Sequence, residues 1–284
     1  MTQRVMLVRH VHRPAAITAA EIARKEIEAR DMEVVPEDAA IGEADLVLAF
    51  GGDGTILSAA SLSRQHDIPL LGVNMGHMGF LAEVSGDGIP TVIDRLAEGD
   101  YLVDARMTLD VTVRFADGST IEDWALNEAV IMRTNVAHPV HLVLVVDGQD
   151  VSTYGADGIV LATPTGSTAY SFSAGGPVVW PDTEAIVMAP LAAHGLFTRP
   201  LVVGPSSVLE VVVMENEWSA PEVWCDGLRH ATVPSGSSLT ARVGKRPVRL
   251  VRLDHTPFST RLVHKFGLPI RGWRNRRERD DTEQ

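Results

Sequence analysis

Hydrophobic positions follow two rhythms along this chain. Through the first hundred residues, short continuous apolar runs alternate with stretches of helical spacing. Val5-Met6-Leu7-Val8 has the pattern of a buried strand, and between Ala16 and Arg30 the apolar positions Ile17, Ala20, Ile22, Ala23 and Ile27 recur among charges at the spacing of an amphipathic helix. Met32-Glu33-Val34-Val35 reads as a weak second strand ending at Pro36. Leu46-Val47-Leu48-Ala49-Phe50 is a central strand, a helix is predicted from about Thr55 to Gln65, Ile68 to Val73 is a further strand, and Ile89 to Glu98 is a closing helix. Strands alternating with helices predict parallel βαβ units in an open α/β sheet, where ligands bind beyond the carboxyl ends of the strands.

Near Tyr101 the rhythm shifts to period two. Leu109 to Phe115 alternates, and His141 to Val146, Val208 to Met214 and Leu239 to Val243 are further strand patterns. Asp-Gly pairs beginning at Asp117, Asp147, Asp157 and Asp226 are hairpin signals, so this part is expected to be an antiparallel all-β domain. The predicted organisation is an α/β domain over residues 1–100, an all-β domain over 101–257 and a terminal segment over 258–284. That segment mixes apolar and basic residues (Phe258, Leu262, Val263, Phe266, Leu268, Ile270, Trp273) and is expected to leave the β domain and pack back on the first; Arg274 to Asp281 reads as a solvated tail.

Composition narrows the function classes. A net charge of −12 over 284 residues argues against a general nucleic-acid or membrane-surface binder, while leaving room for a local basic pocket. No apolar run reaches the length of a membrane span, and Met1 to Arg4 leads into a run of only strand length, so neither a transmembrane helix nor a signal peptide is expected. Cys225 is the single cysteine, which rules out an internal disulfide and suits a reducing cytoplasm.

Two stretches stand out as candidate chemistry. The first is the turn Gly51-Gly52-Asp53-Gly54-Thr55 at the end of the central strand. Glycines let a backbone approach a ligand closely, and the amides of a turn and helix N-terminus can bind phosphate. A carboxylate there repels phosphate, so Asp53 must accept a hydrogen bond, take a proton or help hold a metal; an ordinary αβ turn with an N-cap aspartate fits the same residues. A second glycine-rich turn, Asn74 to Phe80, follows the next strand. The other stretch runs from Gly155 to Pro177, dense in glycine and hydroxyls, with Tyr170 offering a ring for stacking; it reads either as a nest for phosphate and base edges or as a loop without ligand. Asn127 and Glu128 add a donor–acceptor pair that also suits a plain strand end. Phosphate-loop and dinucleotide fingerprints, zinc spacings and a G-x-S-x-G elbow are missing, and His10 and His12 read as loop or strand-end residues.

The stretches FGGDGT, NMGHMGF, LNEAVI and ADGIVLATPTGSTAYSFSAGGP, in this order and at these distances, closely resemble the NAD kinases, and the segment from Phe258 to Trp273 resembles actinobacterial members. GGDGT alone is shared with phosphofructokinases and with diacylglycerol and sphingosine kinases; the TPTGSTAYSFSAGGP stretch is far more specific. The resemblance implies phosphoryl transfer from ATP, or in some bacteria polyphosphate, to the 2′-hydroxyl of the adenosine ribose of NAD, giving NADP. It implies an α/β domain and an all-β domain with the active site between them, a divalent cation such as Mg²⁺, and a cytoplasmic homodimer or homotetramer. By the same carry-over Asp53 would be the base or orienting carboxylate, and Gly51, Gly52, Gly54 and Thr55 would admit the donor phosphates. Asn127 and Glu128 would contact adenosine. Asp157, Thr168, Ala169, Tyr170, Ser171, Phe172 and Ser173 would line the dinucleotide site, and His138 stands where the family often places a ligand contact. No metal ligand is assigned to the protein. Ser58 and Leu228 depart from the basic and polar residues of many relatives. A lipid or sugar kinase sharing the turn would need a different acceptor pocket, and a non-catalytic NAD-sensing module would have no use for Asp53.

Overall fold

The protein is described from a computed structural model, in residues 2–36, 40–75, 79–214 and 219–269. Gly76, His77 and Met78 of the second glycine-rich turn, together with Ile270, Trp273 and the 274–281 tail, lie outside the described residues. The chain forms two compact units: Met1–Ala59, Leu70–Val103 and Val251–Gln284 make the first, Ala60–Pro69 and Asp104–Leu250 the second.

Unit 1 begins with strand β1 (Arg4–Arg9), helix α1 (Pro14–Glu28), β2 (Glu33–Val34), β3 (Leu46–Gly51), α2 (Asp53–Ser63), β4 (Leu70–Asn74), β5 (Val84–Ser85), α3 (Ile89–Glu98) and β6 (Leu102–Arg106). The continuous apolar runs at β3 and β4 are buried along their whole length, as strands covered on both faces must be. β1, β2, β3, β4 and β5 pair in parallel, as the alternating pattern predicted. Ala16, Ala19, Ala20, Ala23 and Ile27 of α1 and Val92, Ile93 and Leu96 of α3 share a core with Leu46, Leu48 and Phe50 of β3. The second helix starts earlier than expected: Asp53, read as a turn residue, already belongs to its first turn.

Unit 2 continues with β7 (Leu109–Arg114), β8 (Thr120–Ala125), β9 (Glu128–Met132), β10 (Val140–Val146), β11 (Gln149–Ala156), β12 (Gly158–Ala162), α4 (Tyr170–Ser173), β13 (Ile186–Leu191), β14 (Leu201–Val203), β15 (Leu209–Val213), β16 (Glu222–Cys225), β17 (Arg229–Thr232) and β18 (Ser238–Val243). β19 (Val248–Arg252) and α5 (Phe258–Phe266) close the described chain. Two antiparallel sheets, ordered β11-β10-β15-β18-β7-β8 and β14-β13-β12-β9-β16-β17, enclose one apolar core. Alternation decides the facing: Leu109, Val111 and Val113 point in from one sheet, Ile131, Ile159 and Leu161 from the other. The lone Cys225 lies in that core, where burial pushes its thiol well above the ordinary range.

Three of the Asp-Gly signals close hairpins. Asp147 and Gly148 are both left-handed, with φ of 52° and 80°, and join β10 to β11. Asp117-Gly118 joins β7 to β8, and Asp226-Gly227 joins β16 to β17. The fourth does not. At Asp157-Gly158 the chain passes from one sheet to the other, since β11 pairs with β10 while β12 pairs with β9 and β13. Glycine is needed there for space rather than for a turn. A Cβ on Gly158 would overlap the carbonyl oxygen of Ile131 and lie 3.0 Å from Met132 Cα, both backbone atoms of β9. Gly158→Ala is therefore expected to destabilise the protein by about 1–3 kcal/mol. An unchanged denaturation midpoint would show that β12 and β9 are not so closely paired.

Candidate active site

In unit 1, β3 ends at Gly51 and α2 begins at Asp53, so the carboxylate sits where a parallel strand hands over to a helix. The local sequence makes that handover tight. A Cβ on Gly51 would come within 2.6 Å of Thr55 Cβ, and the amides of Thr55 and Ile56 both donate to the carbonyl of Gly52. Gly52 and Gly54 differ: a Cβ on either would meet nothing within 4 Å. Among the described residues no atom requires glycine at those two positions, which leaves room there for a closely approaching ligand. Ser58, one of the two departures, donates its hydroxyl to the Gly54 carbonyl at 3.0 Å and so turns back onto its own helix.

Asp53 is packed against the second glycine-rich turn. A Cβ on Gly79 would lie 2.5 Å from Asp53 Cγ, so only glycine leaves room for this carboxylate. Asp53 Oδ1 is buried and has no hydrogen-bond partner among the described residues. A buried carboxylate oxygen without a donor is costly, and such an oxygen is suited to accept a proton or bond from a ligand.

In unit 2 the organising group is Asp226, which the sequence marked only as a turn residue. Its carboxylate accepts the amides of Leu126 at 2.9 Å, Asn127 at 2.7 Å and Glu128 at 3.3 Å, and Arg229 lies 3.6 Å away. Arg229 also holds Asp123 at 2.8 Å, donates to the Trp124 carbonyl and to Ser61 Oγ, and stacks over the Trp124 ring, whose centroid is also 4.3 Å from the Arg64 guanidinium. The start of β9, with Asn127 and Glu128 both buried, is thereby pinned from below. Burial, followed by the nearby Asp226, pushes Glu128 up to about 8. Burial raises Asp226 too, opposed by the three amides and Arg229. Of this close pair, Asp226 keeps the charge because it has those donors; Glu128 keeps the proton, since its Oε2 has no partner among the described residues.

The hydroxyl-rich stretch is more inward-looking than its composition suggests. Thr163 Oγ1 donates to the Leu126 carbonyl at 2.6 Å, Ser167 Oγ to the Pro164 carbonyl at 2.6 Å, and Thr168 Oγ1 to the Thr165 carbonyl at 3.2 Å. Gly166 presses on the backbone of Asn127, where a Cβ would stand 2.8 Å from its Cα. These contacts bring the stretch beside Asn127 and Glu128, whose carboxyl also receives the Tyr170 amide. Tyr170 and Phe172 are exposed, as is Ser173; Thr168 and Ala169 are half-buried, and Ser171 is buried with its hydroxyl unpartnered among the described residues. Asp157 stands across the sheet junction and pairs with Arg133 at 2.6 Å. His138 lies in the connection between β9 and β10, and Leu228 is exposed at the β16–β17 turn. Sequence reasoning missed Asp226 and Arg229 as organisers; an Asp-Gly pair followed two residues later by arginine was the only trace of them.

With this geometry in place, comparison with known proteins is informative. Residues 5–101 match the family described as "ATP-NAD kinase N-terminal domain" and residues 126–253 the one described as "ATP-NAD kinase C-terminal domain". NAD kinase 2 of Streptomyces coelicolor is 46% identical across 95% of this chain and 96% of its own length. The NAD kinase of Thermobifida fusca is 44% identical across 98% and 93%. Among solved structures, yeast NADH kinase complexed with NADH shares the fold at a TM-score of 0.87 and 22% identity, covering 95% of this chain and 89% of that one. The NAD kinase from Archaeoglobus fulgidus in complex with ATP gives a TM-score of 0.75 at 25% identity, covering 94% and 100%.

Glu128 supplies a pH test. Its folded-state carboxyl holds a proton to about 8, against 4.5 for the ordinary group, so its burial disfavours the folded state progressively as pH rises through that window. Glu128→Gln removes the titration. The variant is expected to gain stability over the parent between pH 5 and pH 9, the difference reaching a few kcal/mol at the alkaline end. A pH-independent difference in melting midpoint would show that Glu128 ionises normally.

Proposed function

The chain belongs to the NAD kinase family, and from that premise we propose how its own residues carry phosphoryl transfer from ATP to NAD. The acceptor is the 2′-hydroxyl of the adenosine ribose, and Asp53 is the group that orients it and takes its proton as the new O–P bond forms. The observation that carries this reading is the buried, unpartnered Oδ1 of Asp53, held beside Gly79 at the carboxyl end of a parallel strand. Phosphoryl transfer asks little covalent work of a protein and much positioning and charge neutralisation. Gly52 and Gly54, with open space where side chains would be, admit the donor phosphates to the amides at the start of α2. Ser58, turned onto Gly54, leaves phosphate contacts to backbone or to other side chains.

Asn127 and the protonated Glu128 are assigned to the adenosine portion, with the exposed ring of Tyr170 as a stacking surface and Ala169, Phe172 and Ser173 beside it. Thr168 and Ser171 shape that segment, and Asp157 and His138 are assigned to its border.

A divalent cation fits this donor set. Among the described residues no three His, Cys, Asp or Glu side chains form a cage, so the phosphate oxygens and water would supply most of its ligands. Coordination largely by phosphate oxygens and water is what Mg²⁺ accepts. When bound it would neutralise charge on the transferring phosphoryl group. ATP is the donor assigned; polyphosphate is its competitor in a donor panel. The protein is proposed to act in the cytoplasm as a homodimer or homotetramer, a state that light scattering on the purified protein measures. No described helix is long and apolar enough to cross a membrane.

Asp53→Asn is expected to lower turnover by at least about 10²-fold while NAD affinity, measured by calorimetry, changes little. Turnover near that of the parent would remove the base role.

A further inference from the structure

We infer that Arg261, on the terminal helix α5, is a positioning residue for Asp53, acting through the segment from Gly79 to Glu83. The inference rests on the reading of Asp53 as the base. Arg261 is distant in sequence from every residue of that turn, yet all the contacts involved lie within unit 1.

The path can be followed atom by atom. Gly79 leaves the space that the Asp53 carboxylate fills. The next residue, Phe80, packs between two rings of α5: Phe258 at 5.7 Å and Phe266 at 5.8 Å between centroids. Arg261, between those two aromatics on the same helix, donates one Nη to the carbonyl of Ala82 at 2.8 Å and the other to Glu83 Oε2 at 2.7 Å. Glu83 is buried and carries further load-sharing contacts. Its second bond to a guanidinium comes from Arg252 at 2.8 Å, and its Oε1 accepts the Leu253 amide at 3.1 Å. Its own amide donates to the Gly72 carbonyl of β4 at 2.8 Å. Ala82 is also the residue against which Gly72 is packed, and the same glycine leaves room for Ile56 of α2, one turn beyond Asp53.

The segment is therefore fastened on one side to β4 and α2 and on the other to α5. The first fastening is backbone and small side chains. The second depends on a guanidinium that bonds a backbone carbonyl and a buried carboxylate at once, geometry that an ammonium cannot reproduce in full. Because a carboxylate has to stay aligned with the reacting hydroxyl, a shift of about 1 Å in its support can cost on the order of 10²-fold in rate without weakening substrate binding.

A double-mutant cycle tests the inference. Arg261→Ala is expected to lower kcat by about 10-fold or more while KM for NAD stays within about twofold, with the assay run well below the variant's melting temperature. Arg261→Lys is expected to recover part of the loss. In the Asp53→Asn background, Arg261→Ala is expected to add little further loss, because the group it positions is no longer a base. Should Arg261→Ala not fold, Phe266→Leu leaves the ion cluster in place and loosens Phe80, and it is expected to reduce kcat in the same selective way. Parental kcat in either variant, a loss carried in full into the Asp53→Asn background, or a loss that follows only the folded fraction overturns the inference. A fast Asp53→Asn enzyme removes the base role and this inference with it; a slow Asp53→Asn enzyme beside a fast Arg261→Ala enzyme removes the inference alone.

Discussion

The close approach of the Asp53 carboxylate to Gly79 is the constraint around which unit 1 is best understood. Asp53 occupies its place against Gly79, where a Cβ would overlap its carboxylate. The surrounding architecture follows from this. The fully buried β3 fixes where α2 begins, and the parallel β4 delivers the chain to the second glycine-rich turn. Two rings and the Arg261 guanidinium of α5 meet Phe80 and Ala82 just beyond that turn. Among the described residues nothing donates to the buried Oδ1 of Asp53, and the base role proposed for it rests on that local penalty.

Unit 2 solves a different problem. It must present Asn127 and Glu128 at the start of a strand whose other face belongs to a tightly packed β core, and it does so with a buried anion. Asp226 collects three consecutive amides of the Leu126–Glu128 segment, as an anion at a helix N-terminus collects amides, and Arg229 supplies the countercharge. The hydroxyls of the neighbouring glycine-rich stretch tie that stretch to the same segment: Thr163 reaches the carbonyl of Leu126, and its amide donates to the carbonyl of Asn127. Much of the hydroxyl capacity of that stretch is used within the loop, while the rings of Tyr170 and Phe172 are exposed.

Much of this was readable in the sequence, for identifiable reasons. Continuous apolar runs marked β1, β3 and β4, helical spacing marked α1 and α3, and period-two alternation marked β7, β10, β15 and β18, because each pattern reflects which faces of an element are covered. Asp-Gly located three hairpins through its tolerance of left-handed backbone. It misplaced a fourth at Asp157, since the same dipeptide also serves where a strand must pass another backbone closely. The candidate residues of the GGDGT turn, the Asn-Glu pair and the hydroxyl-rich stretch announced themselves by unusual local chemistry. Their supports did not. Asp226 was read as a turn residue, and nothing in the sequence singled out Glu83, Arg252 or Arg261. Ion pairs across 169 or 178 positions of chain leave no periodicity behind them.

The retained proton on Glu128 changes the bookkeeping of charge. The formal value of −12 treats every carboxyl as ionised at neutral pH, but a group titrating at about 8 is mostly neutral there. Inside the fold, Glu128 thus stands as an uncharged group beside the carboxylate of Asp226. In a mildly alkaline medium the proton leaves, and two carboxylates must share that buried place.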